Sequence, residues 1–191
     1  MPNIVIVGAQ WGDEGKGKVV DLLTRKVQVV ARYNGGHNAG HTVIVGDKKY
    51  ILHLVPSGIL WPEKRNVIGN GVVLDPIGLC EEIATLESQG VRITPDNLLI
   101  SDRAHVVLPY HRELDGAMEA NRGQHQIGTT KRGIGPTYSD KANRHGLRLA
   151  DLLDEALTTE LLEIRLEEAN RYLEANGAPT FTAAEILDAI R

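Results

Sequence analysis

The sequence predicts an α/β fold of the phosphate-loop type: a mostly parallel sheet flanked by helices, with a β-hairpin and a helical C-terminal segment. Three observations support this prediction. An apolar β-branched run at 4–7 precedes the glycine-rich stretch 8–18, GAQWGDEGKGK, and a helical pattern begins at Lys16. Strand, glycine loop and helix in this order form the first unit of an α/β sheet. From Asp151 the chain becomes acidic and follows a helical pattern.

The first third of the chain alternates strands, glycine-rich loops and a helix. Residues 4–7 predict a buried parallel strand, and the run 27–33 predicts the next strand. The Gly46-Asp47 pair separates two β-rich runs, at 43–45 and 50–55, and therefore predicts a β-hairpin. The helix between the first two strands has an apolar side formed by four residues: Val19, Val20, Leu22 and Leu23.

Turn and cap residues mark the elements in the middle of the chain. Asp75 and Pro76 provide an N-cap and an N1 proline for a helix that runs to about Ser88 and stops before Gly90. Three further short elements are expected: strands at 98–100 and 106–108, and a helix at 114–120.

The segment 151–191 is expected to form amphipathic helices with a solvated face. Thr182 and Glu185 have the spacing of a capping box, which predicts a second helix that still continues at Arg191. Because the chain ends within that helix, we expect it to be an incomplete domain. We treat the whole chain as one domain in which 1–150 carries the binding loops.

Composition argues against several classes of protein. The formal net charge of −4 gives no reason to expect nucleic-acid binding. No apolar run approaches the roughly 20 residues that span a bilayer, and the N-terminus lacks the basic region of a signal peptide. The cytoplasm is therefore the expected compartment. The single cysteine, Cys80, excludes an intrachain disulfide and is expected to be a buried thiol on a helix.

The glycine-rich stretch 8–18, here called the phosphate loop, departs from the usual GxxxxGK[ST] pattern in two places. Six residues rather than four separate Gly8 from Gly15, and Gly17 follows Lys16 where a serine or threonine would bind magnesium. The glycines still let the backbone approach a phosphate closely, and the helix that follows offers its N-terminus to an anion. The alternative is a glycine-rich turn without a ligand.

Two carboxylates stand inside this loop, where they would repel a phosphate. Since the magnesium-binding hydroxyl is missing, Asp13 is the natural hard oxygen ligand, and it could also accept a proton from a substrate. Glu14 could share such a task, or it could be an acid that favours the start of the helix.

The segment 34–42, NGGHNAGHT, is here called the histidine loop. His37 and His41 are four residues apart, as in a helical zinc pair, but three glycines disfavour a helix and no third zinc ligand stands nearby. A binding loop is the better interpretation, in which Asn38 offers amide hydrogen bonds and His41 donates a proton. Taken alone, each histidine would be an ordinary surface or packing residue. The loop follows a strand, so it shares the ligand-binding edge of a parallel sheet with the phosphate loop.

A third segment, 127–146, offers the hydroxyls of a Gly128-Thr129-Thr130 run and the positive charges of Lys131, Arg132 and Arg144. Such a segment suits the phosphate of a nucleoside monophosphate. The alternative is a solvated basic loop. The wider stretch 122–148 is basic, with Asp140 as its only opposing acid.

Five motifs together resemble the adenylosuccinate synthetase family: GAQWGDEGKGK, NGGHNAGHT, LHLVPSGIL, IGNGVVLDP and GTTKRGIGPTYSDKANRHGLR. The resemblance is close over 3–153 and weaker over 154–191, and it implies that the chain is under half of a complete member. It also implies a ligase of purine biosynthesis that joins L-aspartate to IMP with GTP, giving adenylosuccinate, GDP and phosphate through a 6-phosphoryl intermediate.

The resemblance implies roles for individual residues. Asp13 matches the base that takes the N1 proton of IMP, and His41 matches the general acid. Asp13 and the carbonyl of Gly40 match the ligands of one Mg²⁺ per subunit. The implied GTP contacts are Gly12, Asp13, Glu14, Gly15, Lys16, Gly17, Lys18, Gly40, His41 and Thr42. The implied IMP contacts are Asp13, Glu14, Gly15, Lys16, Asn38, Ala39, Gly40, His41, Thr130 and, from the neighbouring subunit of a homodimer, Arg144.

Two alternatives to a synthetase remain at this stage: a GTPase switch, and a catalytically silent module that binds a nucleotide or forms a dimer. The chain lacks the N/T-K-x-D motif with which GTPases read guanine, which disfavours a GTPase switch. In the family, the residues that read guanine and bind aspartate lie beyond the point where this chain stops. We therefore expect the 191-residue chain to be inactive alone, and a catalytically silent nucleotide-binding or dimerisation module is the other alternative.

Overall fold

The computed structural model describes residues 3–9, 15–38 and 40–191, and its elements have the mixed α/β order that the sequence predicts. Among the described residues the helices are α1 (Lys16–Thr24), α2 (Pro76–Ser88), α3 (Pro109–Asn121), α4 (Ile134–Asn143), α5 (Glu155–Ala175) and α6 (Ala183–Ile190). The strands are β1 (Val29–Arg32), β2 (His41–Val45), β3 (Lys48–Leu52), β4 (Arg65–Ile68), β5 (Val73–Leu74), β6 (Leu98–Ile100) and β7 (His105–Val106).

The described strands form one parallel sheet and two strand pairs. Strands β1, β4 and β6 lie side by side in that order and run parallel. Strands β5 and β7 form a second parallel pair. Because parallel strands end at the same edge, the histidine loop, which follows β1, lies at the carboxyl edge of the sheet.

Local sequence signals are confirmed at three places. Strands β2 and β3 form the predicted antiparallel hairpin, and Gly46 in its turn has a φ of 59°. The Asp75 side chain accepts a hydrogen bond from the Gly78 N–H at 3.1 Å and caps α2, which ends before Gly90 with its φ of 90°. The Thr182 hydroxyl accepts from the N–H of Glu185, as a capping box requires.

The strand predicted at 4–7 is wrong. The described residues 3–9 have no regular secondary structure, and Ile4, Val5 and Val7 are exposed. A buried parallel strand needs a hydrogen-bonded neighbour and cover on both faces, and the described part of the chain provides neither there. The apolar side predicted for α1 is also largely uncovered, since Val19 and Leu22 are exposed.

The prediction of a buried Cys80 is wrong as well, because its thiol is exposed. Helix α2 buries a stripe that contains Leu79, Glu82 and Leu86, and Cys80 lies to one side of that stripe. The spacing predicts the helix correctly, but it does not indicate which face of the helix is buried.

The described elements pack around two hydrophobic clusters of described residues. The first contains residues from the β2–β3 hairpin, the sheet and α2. The second joins α3, α5 and α6 through a buried stripe on α5: Thr158, Leu162, Leu166, Ala169 and Leu173. Within the described ranges, none of the helices combines the length and apolar character that a membrane crossing needs.

The buried carboxylate of Asp140 on α4 connects three helices. It accepts hydrogen bonds from the Tyr110 hydroxyl at 2.9 Å and from two nitrogens of Arg165, each at 2.8 Å. Nε2 of His111 lies 3.2 Å away and donates, because Nδ1 of that ring accepts from the Leu108 N–H. Burial raises the pKa of Asp140, but His111 and Arg165 outweigh burial and lower the pKa to about 2.

Asp140→Asn is expected to lower the free energy of unfolding at pH 7 by about 3 kcal/mol, because it leaves the mostly buried Arg165 without its anion. The folded-state pKa lies below the ordinary value of 3.8, so the carboxylate stabilises the fold above pH 4. That contribution is lost as the pH falls towards 2. The difference in unfolding free energy between native protein and variant should therefore shrink from pH 4 to pH 2, as measured by urea unfolding.

The control is Asp188→Asn, which removes an exposed carboxylate that pairs with Arg191 at 2.9 Å. This change is expected to alter the free energy by less than about 0.5 kcal/mol. A difference between native protein and Asp140→Asn that stayed constant from pH 7 to pH 2 would contradict the assignment.

Candidate functional site

The start of α1 and the histidine loop meet in the structure. Gly15 adopts the left-handed region with a φ of 80° and caps α1. A Cβ atom at Gly17 would lie only 3.0 Å from Cγ and Nδ1 of His41, so the backbone of the helix start lies directly against the imidazole ring. The four predicted site residues Gly12, Asp13, Glu14 and Ala39 lie outside the described residues.

The other predicted residues of these two loops lie at or near the surface. Gly15, Lys16, Gly17 and His41 are half-buried, whereas Lys18, Asn38, Gly40 and Thr42 are exposed. A Cβ at Gly40 would be 2.9 Å from Cε1 of His53, so this position must be glycine if the ring is to stay. The helix N-terminus, with its positive dipole end, thus borders a half-buried histidine and an accessible main chain.

His37 is a buried packing residue with polar partners. Its Nε2 lies 2.7 Å from Nη1 of Arg132, and its Nδ1 lies 3.2 Å from Oδ2 of Asp75. A guanidinium nitrogen only donates, so Nε2 accepts and the ring proton is on Nδ1, facing the carboxylate. This contact brings Arg132, from the third predicted segment, onto the histidine loop. Within the described residues no three His, Cys, Asp or Glu side chains form a metal-binding group.

The Asp75 carboxylate is buried and serves both helices α2 and α3. It accepts from the Gly78 N–H and pairs with the guanidinium of Arg112 on α3. Burial raises the pKa of Asp75, but hydrogen bonds from His37, Gly78 and Arg112 outweigh burial and lower the pKa to about 2. The side chain is therefore an anion throughout the neutral range.

Three further residues hold the histidine loop or the neighbouring segment 53–55, and sequence reasoning did not identify them. Arg32 donates to the backbone carbonyls of His53 and Gly36. The Tyr138 hydroxyl accepts from the Gly35 N–H at 2.8 Å. Glu82 accepts from three successive backbone N–H groups that begin at His53, at distances of 2.8, 2.7 and 3.2 Å. Tyr138 and Glu82 are distant in sequence from the segments that they hold, so no local motif signals them, whereas Arg32 stands just before the histidine loop.

Thr130 and Arg144 are exposed, and no described hydrogen bond or ion pair joins either of them to the phosphate loop or the histidine loop. Thr130 lies in the loop 128–133, here called the basic loop, which leads into α4. Arg144 ends α4 in the left-handed region with a φ of 63°. Of the third segment, the structure therefore brings Arg132 to the histidine loop, but neither Thr130 nor Arg144.

The family model for adenylosuccinate synthetase matches residues 5–191. The chain belongs to the adenylosuccinate synthetase family. An adenylosuccinate synthetase of Clostridium botulinum (strain Langeland) is 58% identical over 173 residues, which cover 91% of this chain and 40% of that protein. A synthetase of Nitratidesulfovibrio vulgaris is 54% identical over 192 residues, 100% of this chain and 45% of that protein. The chain thus spans 40–45% of the length of these curated synthetases.

Solved structures agree with this assignment and with the α/β fold. The fully ligated adenylosuccinate synthetase of Plasmodium falciparum superposes with a TM-score of 0.80 at 39% identity, over 96% of this chain and 42% of that one. The succinoaminodeoxyadenylate synthetase of cyanophage S-2L, bound to dGMP and dATP, superposes with a TM-score of 0.56 at 29% identity, over 71% of this chain and 36% of that one.

Gly78→Ala is expected to destabilise the fold by about 1–3 kcal/mol, because the new Cβ would lie 2.8 Å from Cε1 of His37 and push the ring off Asp75 and Arg132. The matched control is Gly116→Ala in α3, where a Cβ would meet nothing within 4 Å. Alanine in a helix interior should stabilise the control by up to about 1 kcal/mol. Urea unfolding measures both, and equal stabilities would contradict the tight packing of His37.

Proposed function

We propose that this chain supplies the phosphate loop and the proton-transfer residues of a GTP-dependent ligase that joins L-aspartate to IMP. The products are adenylosuccinate, GDP and phosphate, and the reaction serves purine nucleotide biosynthesis in the cytoplasm. Family membership supports the reaction class. The observation that carries the proposal is the contact between the start of α1 at Gly17 and the ring of His41, because it joins an anion-binding helix end to a proton donor.

In this proposal Asp13 is the general base. It takes the proton from N1 of IMP, and the 6-oxygen then attacks the γ-phosphorus of GTP while the bond to GDP breaks. The amino group of aspartate next attacks C6, loses a proton, and displaces inorganic phosphate. His41 donates a hydrogen bond or proton to the charge that develops during transfer. A positioned acid or base of this kind contributes typically ~10²–10⁴-fold.

The residues at the start of α1 suit the GTP phosphates. We propose that the backbone at Gly12, Glu14, Gly15, Gly17 and Lys18 and the side chain of Lys16 bind them, together with Gly40, His41 and Thr42. The N-terminus of a helix favours an anion through its unpaired N–H groups and its dipole. Asn38, Ala39 and Thr130 are proposed IMP contacts, as are Asp13 to Lys16 where IMP and GTP meet.

Magnesium fits the oxygen donors that these loops provide. The carboxylate of Asp13 and the backbone carbonyl of Gly40 would hold one Mg²⁺ per subunit. Mg²⁺ usually takes one or two carboxylates and completes its shell with substrate phosphates and water, so a large protein ligand set is not required. When bound, the ion would neutralise phosphate charge during transfer. It also explains why a carboxylate is tolerated inside a phosphate loop.

The decisive experiment uses a hybrid synthetase, in which this chain replaces the matching residues of the Nitratidesulfovibrio vulgaris protein. The hybrid is expected to form adenylosuccinate from IMP, aspartate, GTP and magnesium, as followed by product absorbance. Asp13→Asn should lower kcat by about 10²-fold or more while calorimetry shows retained GTP binding. The control, Asp47→Asn in the exposed hairpin turn, should leave kcat unchanged. Near-normal kcat in Asp13→Asn would overturn the base assignment.

The same assay compares the hybrid with the 191-residue chain alone. We expect the chain alone to give no measurable product and to bind GTP and ATP without preference. The panel includes dGMP and ATP, because the cyanophage relative is bound to dGMP and dATP. An inactive hybrid beside an active parent enzyme would favour a catalytically silent module instead.

We further propose a homodimer in which Arg144 reaches the IMP site of the neighbouring subunit. Arg144→Leu in the hybrid should then raise the KM for IMP and leave dimerisation intact, as measured by sedimentation. Mixing Arg144→Leu with Asp13→Asn should restore part of the activity, since hybrid dimers contain one complete site. The control for charge is Arg103→Leu, at another exposed arginine. No recovery after verified subunit exchange would assign Arg144 to its own subunit or to no site.

A further inference from the structure

We propose that two buried acids on α3, Asp115 and Glu119, are positioning residues for the basic loop 128–133, and that they thereby set IMP binding at Thr130. The step from the acids to the loop rests on the geometry alone. The step from the loop to IMP rests on the proposed function.

The two carboxylates hold both ends of the loop by its main chain. Oε1 of Glu119 accepts from the N–H of Gly128 at 2.6 Å and from the N–H of Thr129 at 3.4 Å. Oδ2 of Asp115 accepts from the N–H of Gly133 at 3.0 Å. The acids are four residues apart on one helix, so both project from the same face. A single rigid element therefore fixes the distance between the two ends of the loop.

The carboxylates that accept these bonds are buried. Asp115 is 7% exposed and Glu119 is 4% exposed. Carboxylates are almost never buried to this extent unless hydrogen bonds compensate their lost hydration. The loop end also packs tightly on α3, because a Cβ at Gly133 would lie 2.8 Å from the backbone carbon of His111.

The loop adopts a conformation that needs such support. Gly128, Lys131 and Gly133 all have positive φ values, of 79°, 53° and 75°. A lysine in the left-handed region is uncommon, and residues of this kind persist where the surroundings determine the backbone. The two anchored ends of the loop, one on each side of Lys131, fix the backbone in this conformation.

The acids hold the loop by its backbone, which leaves the Thr130 side chain available to a ligand. In the described part of the chain, the hydrogen bonds of these acids to the loop all come from backbone N–H groups, and Thr130 stays exposed. Arg132 extends from the same loop to Nε2 of His37 at 2.7 Å. A shift of the loop on α3 would therefore move Thr130 relative to the histidine loop, which carries the proposed IMP contact Asn38.

The first test follows the amide protons of the purified chain by NMR hydrogen exchange. Glu119→Ala should speed exchange at Gly128, and Asp115→Ala should speed it at Gly133, each by about tenfold or more, because each N–H loses its hydrogen-bond acceptor. The matched control is Glu113→Ala, a half-buried acid on the same helix without a described hydrogen bond to the loop. Unchanged exchange at both glycines in folded variants would overturn the proposal.

Glu119→Gln keeps the test decisive if the alanine variants fail to fold. Oε2 of Glu119 accepts no described hydrogen bond and lies 3.9 Å from Nε of Arg122, so a terminal amide there displaces no bonded donor. The carbonyl oxygen of glutamine can still accept from Gly128. Exchange at Gly128 should therefore stay within about threefold of the native rate. If Glu119→Gln unfolds the chain, the carboxylate serves global stability and the proposal is wrong.

The second test measures the hybrid synthetase. Glu119→Ala should raise the KM for IMP by about tenfold, with the KM for GTP changed by less than about twofold. Glu119→Gln should restore most of the loss, and equal rises in both KM values would mark a merely structural role. If the unmutated hybrid lacks activity, the proposed function fails, and the exchange experiment alone then decides whether the acids position the loop.

Discussion

The buried carboxylate of Asp75 is the interaction on which the arrangement of the candidate site depends. One oxygen caps α2 through Gly78, and the other pairs with Arg112 on α3 and faces Nδ1 of His37. The other ring nitrogen of His37, Nε2, accepts a hydrogen bond from Arg132 of the basic loop. A charge that is only 1% exposed is tolerated when its partners stay in place, so this one anion fixes two helices and two loops relative to one another.

Helix α3 repeats this principle along its length. Tyr110 and His111 donate to Asp140, Arg112 pairs with Asp75, and Asp115 and Glu119 accept backbone N–H groups. Two buried anions on other elements thus receive donors from α3, while two anions on α3 receive donors from the basic loop. Hydrogen bonds and ion pairs between buried groups are directional. They therefore specify which segments contact each other more precisely than apolar packing does. The histidine loop and the basic loop, which carry proposed IMP contacts, are among the segments that these contacts fix.

Local signals predicted the parts of this architecture that local physics determines. The hairpin turn at Gly46, the cap at Asp75 and the capping box at Thr182 each depend on residues within four positions, and each is confirmed. Partners distant in sequence were not predictable. The sequence marks Asp140 as the one acid of a basic stretch, yet its carboxylate pairs with Arg165 on α5. The strand at 4–7 failed for the same reason, because periodicity indicates a conformation but supplies no neighbouring strand.

Besides the proposed phosphate binding, there is a steric reason for glycine at three positions in and around the candidate site. Cβ atoms at Gly17, Gly40 and Gly78 would lie 3.0, 2.9 and 2.8 Å from the rings of three histidines: His41, His53 and His37, respectively. A serine or threonine after Lys16, as in the usual phosphate loop, would bring its Cβ and its hydroxyl against His41. The departure from the usual pattern therefore has a steric reason. In the proposed mechanism the carboxylate of Asp13, in the same loop, takes the role of magnesium ligand that a hydroxyl at this position has in the usual phosphate loop.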